Sequence, residues 1–133
     1  MHAVVHGERT LTDLDFARLT KLLREQAPSA FSEMLEGVDV TGPRDIPADV
    51  VTMYSRLECV DVHTSRRQVL TLCYPGDAEP AAGYISVLSP VGGSLLGLKV
   101  GDIARWLTPG GEHCAAQIVA IHYQPESSGD YTR

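Results

Sequence analysis

Hydrophobic positions change their spacing once along the chain, near Pro43–Pro47. Before that point the pattern is helical. Thr12 stands three residues ahead of Asp15 as an N-cap with an acid at N3, and Leu11 and Phe16 flank them as the halves of a hydrophobic staple, which predicts a helix starting at Asp13. Phe16, Leu19, Leu22 and Leu23 keep one apolar face, with Arg18, Lys21, Arg24 and Glu25 on the other. Ala27-Pro28-Ser29 breaks the run. Phe31, Met34, Leu35 and Val38 then repeat the helical spacing, so a second helix is expected from about Ala30 towards Val40, closing a short antiparallel helical hairpin. Gly42–Ala48 reads as a linker by its proline and glycine content.

Beyond the linker the period becomes that of strands. Val50–Tyr54, Arg56–Val62, Gln68–Tyr74, Tyr84–Leu88, Ile103–Thr108 and Ala115–Tyr123 are β-branched or alternating runs bounded by turn residues. His63–Arg67 and Pro109-Gly110-Gly111 close antiparallel hairpins, and Val91–Leu98 supplies one or two helical turns with Ser94, Leu95 and Leu96 on the sheet. The expected fold class is α+β, divided into a mobile N-terminus (1–12), a hairpin or finger (13–41), a linker (42–48) and an antiparallel β-sheet domain with a short helix (49–133), whose polar end from Pro125 lies on the surface.

Composition narrows the function. The 133 residues carry 17 acids against 11 lysines and arginines, a formal charge of −6, and the longest basic run is Arg66-Arg67. Affinity for a phosphate backbone comes mainly from clustered basic side chains, so sequence-specific nucleic-acid binding is not expected. The start of the chain has no secretory pattern and no apolar run approaches the roughly 18 residues that cross a bilayer, which suggests a cytoplasmic protein without a membrane partner. Cys59, Cys73 and Cys114 are odd in number and widely spaced, unlike a disulfide framework. They form no zinc pattern with His63, His113 and His122, and neither metal nor cofactor is expected. Cys59 and Cys73 read as small buried hydrophobes, Trp106 as a core or sheet-face residue, and Asp102 as a turn residue. Ser86, Asp102 and His122 lack the nucleophile elbow that would make them a hydrolytic triad.

Residues 84–102 hold Ile85-Ser86, Ser89-Pro90, Leu95-Leu96-Gly97 and Gly101-Asp102 at fixed offsets. In these the sequence resembles the C-terminal domain of the bacterial transcript cleavage factors GreA and GreB. Ile46–Arg56, Tyr74-Pro75 and Tyr123–Tyr131 narrow the resemblance to the Rnk family, the regulators of nucleoside diphosphate kinase, which pairs a short coiled-coil finger with a Gre-like domain. The resemblance implies an FKBP-like sheet packed on a short helix. It also implies binding to RNA polymerase at the rim of the secondary channel, in competition with other channel factors, and an influence on nucleoside diphosphate kinase levels. The docking loop of the Gre proteins maps onto Leu88, Ser89 and Pro90, where Leu88 replaces an acid that Gre factors often carry. A second reading of the same residues has Ser89 simply capping the short helix.

Gre factors cleave backtracked RNA with paired acids at the finger tip, since a second metal ion needs carboxylates delivered together. The expected tip here, Glu25, Gln26, Ala27 and Pro28, holds one acid, and Glu33 and Glu36 lie further along. A helix from Asp13 to Gln26 reaches only about 20 Å. The sequence therefore predicts a regulator rather than an enzyme. Transcript cleavage and prolyl isomerisation are the enzymatic alternatives, the latter disfavoured because Phe16 and Phe31 both fall in the finger. A general protein-interaction module is the third.

Overall fold

The computed structural model describes residues 9–25, 35 and 37–130. The chain enters through strand β1 (Thr10–Thr12), forms helix α1 (Asp13–Glu25) and returns as β2 (Asp39–Thr41). It then builds β3 (Arg56–Asp61), β4 (Arg67–Cys73), β5 (Tyr84–Ser86), the short helix α2 (Pro90–Leu95), β6 (Ile103–Leu107) and β7 (His113–Tyr123). The five-stranded sheet has the order β5-β4-β3-β7-β6.

Both expected hairpins form, β3 with β4 and β6 with β7, and each strand of the five-stranded sheet lies within or beside its predicted run. The sheet is mixed, however, and this corrects the antiparallel expectation. β5 pairs with β4 in parallel because the chain between them detours through two 3-10 turns, Pro75–Asp77 and Pro80–Ala82, which carry it back before it pairs. Val50–Tyr54 is not a strand. Its backbone bonds go to the segment after α2 (Val51 N to Leu98 O, 2.7 Å; Gly97 N to Val51 O, 2.9 Å) and to β4 (Tyr54 N to Leu72 O, 2.7 Å), with Tyr54 held at φ 67°. Val51, Thr52, Met53 and Ser55 are buried as a plug under the sheet.

Three edges of the predicted layout also shift. Thr10–Thr12 falls in the stretch expected to be a mobile N-terminus, yet it pairs in parallel with Asp39–Thr41 and buries Leu11 completely. Asp39 and Val40 are accordingly strand rather than the end of a helix. The second helix itself falls outside the described residues apart from Leu35, which is buried in the core. The polar end from Pro125 is largely surface, with Ser127, Ser128 and Gly129 exposed, and it is anchored at its start. Gln124 is buried and donates to Pro47 O and Val50 O, both at 2.8 Å, and Thr52 Oγ1 donates to Glu126 at 2.7 Å. One hydrophobic cluster unites Leu11, Leu19 and Leu35 with Leu57, Leu72, Leu96 and Ile118.

Helix α2 lies against the inner sheet face, with Leu95 and Leu96 buried. Its approach demands glycine: a Cβ on Gly92 would stand 2.0 Å from Ser86 O.

Candidate functional site

The predicted docking residues sit where β5 turns into α2. Ser89 is the N-cap of α2, its Oγ accepting from Gly92 N at 3.1 Å and donating to Ser86 O at 2.7 Å. Leu88 N donates to Ser86 Oγ at 3.0 Å. Pro90 occupies the first helical position, where a missing N–H costs nothing, and is exposed. Leu88 is half-buried against the core. The capping role of Ser89 is thus realised, and it stiffens the corner that presents Pro90.

Beside this corner, between α2 and the inner sheet face, opens a cleft of about 240 Å³. Its apolar walls include Leu70, Ile85, Val91, Leu95 and Trp106, and Arg66 and Asp61 also line it. Trp106 is the one aromatic residue in its lining among the described residues.

At the finger's end, Glu25 closes α1, whereas Gln26, Ala27 and Pro28 lie outside the described residues, as do Glu33 and Glu36. Among the described residues no three His, Cys, Asp or Glu side chains gather as a metal site. Cys59 and Cys73 are buried free thiols. Asp102 accepts from Lys99 N at 3.1 Å in a turn, as its sequence context indicated. Among the described residues no helix is long and apolar enough to cross a membrane.

A group that sequence reasoning missed is Asp15 at the finger base. Its own N–H donates to Thr12 Oγ1 at 3.1 Å, the expected half of the capping box. Its carboxylate turns instead into the β-domain and accepts from Met53 N at 3.2 Å. Burial at 2% exposure pushes its pKa up to about 7, the negative Glu126 adding to the effect and Arg18 and the Met53 bond opposing it. A signal was available, since Asp15 lies on the stripe Leu11-Asp15-Leu19-Leu22 at four- and three-residue steps, where an acid is out of place. On the outer sheet face, Glu58 accepts from Arg67 at 2.6 Å and pairs with His122 at 3.0 Å, which lowers its pKa.

Comparison with known proteins defines the class first. The family described as "Transcription elongation factor, GreA/GreB, C-term" matches residues 46–123, which hold the corner, the cleft and most of the sheet. A solved GreA/GreB factor from Nitrosomonas europaea superimposes with a TM-score of 0.71 at 34% identity, covering 87% of this chain and all of that one (100%). GreA of Helicobacter hepaticus is 28% identical over 90% of this chain and 82% of its own. The "Regulator of nucleoside diphosphate kinase" of Escherichia coli K12 is 36% identical over 91% of this chain and 93% of its own. The chain belongs to the GreA/GreB-related transcription factors and, among them, to the Rnk family of regulators of nucleoside diphosphate kinase.

Proposed function

We propose that this protein is a non-catalytic transcription regulator that docks on RNA polymerase at the rim of the secondary channel through Leu88, Ser89 and Pro90. The supporting observation is the corner's rigidity: Ser89 is bonded on both sides, Pro90 is exposed, and an apolar cleft opens next to them. A stiff corner loses little entropy when captured, and the cleft offers a seat for an apolar side chain of the partner. The domain, FKBP-like in this reading, anchors on the rim while residues 13–41 point inward. There they exclude cleavage-competent Gre factors without supplying the paired tip acids that cleavage needs. Any influence on nucleoside diphosphate kinase levels follows indirectly from transcription.

Capture of core RNA polymerase by the purified full chain tests this. Pro90→Glu keeps a residue suited to the first helical turn and puts a charge on the corner, so capture is expected to weaken at least about tenfold. Failure of the intact chain to bind polymerase at low salt would sink the reading in favour of an interaction module for another target. Shortening of RNA in stalled complexes would turn it towards a cleavage factor.

A further inference from the structure

Strand β6 ends the sheet, and its outer edge is open among the described residues. The register settles which groups that edge offers. Ile118 N donates to Asp102 O at 3.0 Å and Thr108 N to Glu112 O at 2.9 Å, so the even-numbered residues of this stretch exchange bonds with β7. In an antiparallel ladder the alternate residues turn their backbone groups the other way. Ile103, Arg105 and Leu107 therefore aim N–H and C=O groups outward. Their side chains are exposed as well, Ile103 by 41% and Leu107 by 51%. Natural edge strands are usually blunted by proline, a bulge, several charges or extreme shortness. β6 runs five residues without a bulge or proline, and Arg105 is its only charge.

A groove of about 680 Å³ follows this edge, lined by Arg9, Ser94, Leu98, Ile103 and Arg105. The Arg9 guanidinium is largely buried there. Its Nη1 donates to Gly93 O at 2.8 Å and Leu96 O at 3.1 Å, and it forms no ion pair among the described residues. Asp102 also lines the groove, with its carboxylate already accepting from Lys99 N. The result is a positive groove on a chain of net charge −6, running beside unpaired strand backbone.

We propose that β6 and the Arg9–Arg105 groove form a second docking surface, which receives an extended acidic segment of another protein as a sixth strand. Backbone pairing with Ile103, Arg105 and Leu107 supplies affinity, and aspartate or glutamate of the partner near the two arginines supplies choice. Charge favours this occupant over a second copy of the chain. Antiparallel self-pairing about the middle of β6 sets the two Arg105 side chains opposite each other, and like charges directly opposed destabilise a strand pair. The surface does not depend on the polymerase reading, because it uses neither Leu88, Ser89 nor Pro90.

The test is an amide chemical-shift titration of the full chain with short synthetic peptides that alternate valine with glutamate, valine with lysine, or valine with glutamate bearing alternate N-methyl groups. The valine–glutamate peptide is expected to shift the amides of Ile103, Arg105 and Leu107 and to bind at least about tenfold more tightly than the lysine peptide, with the N-methylated peptide inert on one edge. Arg105→Glu, at an exposed position, is expected to leave the unfolding midpoint unchanged and to reverse the charge preference. Equal binding of acidic and basic peptides, or shifts mapping away from β6, overturns the proposal. So does concentration-dependent self-association that protects the same amides, which identifies the second copy as the occupant.

Discussion

Asp15 shows how one side chain can join two parts of a molecule. Its backbone obeys the rule read from the sequence, with Thr12 as cap, but its carboxylate leaves the helix to hold Met53 N. Local spacing predicts the cap because the cap is local. The partner, 38 residues away, depends on how α1 lies on the plug, which no local pattern encodes. The consequence is a pH dependence of definite sign. The carboxyl is pushed up to about 7 in the folded chain by burial, against about 3.9 for an unfolded aspartate. The folded state thus holds this proton more tightly, so the stabilising contribution is complete below about pH 4 and fades as pH rises through about 7. From this group alone the protein is expected to lose about 1 kcal/mol between pH values of about 6 and 8. Asp15→Asn keeps a neutral acceptor for Met53 N and is expected to flatten that slope and to equal or exceed the parent in stability at the upper pH. Urea midpoints across the range check this, with Glu126, Arg18 and Tyr74, the other titratable groups around Asp15, left in place. Equal slopes for parent and variant would remove Asp15 as the cause.

At the scale of elements, helix α2 was the most legible part of the fold. Ser89-Pro90 announced its start, Leu95 and Leu96 its buried end, and all occupy the roles their residue types suggest. The sequence did not reveal why glycine recurs there, since a close backbone approach leaves no trace in hydrophobic periodicity. Gly92 packs against the Ser86–Val87 backbone so closely that any Cβ collides with a carbonyl that β5 holds in place. Gly92→Ala is expected to cost about 3 kcal/mol or more, beyond the usual range for an extra methyl because backbone must move. Gly76→Ala, with nothing within 4 Å of the added carbon, serves as the control and is expected to leave the midpoint nearly unchanged. Ser89→Ala should cost only about 1 kcal/mol, the value of a helix cap. Thermal unfolding of the three variants separates these effects. A midpoint for Gly92→Ala equal to that of Gly76→Ala would mean that α2 can lift off the sheet freely.

For the whole molecule, composition and spacing suggested a finger attached through a linker to a separate β-domain, because the change of period at Pro43–Pro47 resembles a boundary. Long-range contacts point the other way. Leu11 and Leu19 before that boundary lie in the same cluster as Leu57, Leu72 and Leu96 after it. β1 is tied to the segment after α2 by Thr10 N to Gly97 O at 3.1 Å, and Gln124 holds both Pro47 and Val50 from the far end of the chain. Such contacts join positions distant in sequence, so neither periodicity nor turn residues could report them. We therefore expect residues 9–130 to unfold in one cooperative transition, with fluorescence of Trp106 in the β-domain and helical circular dichroism tracing the same curve. A fragment of 49–133 lacks Leu11, Leu19 and Leu35, leaving the inner cluster open to water. It is expected to lose several kcal/mol, at about 2–5 for each such leucine truncated in place, and so to fold poorly alone. Gln124→Ala in the full chain takes the side-chain donor from the buried Val50 carbonyl, at about 1–3 kcal/mol, while Pro47 O keeps its bond from Val50 N, and the change is expected to lower both probes' midpoints together. Two separated transitions, or a 49–133 fragment as stable as the full chain, would restore the independent finger and domain that the sequence pattern first suggested.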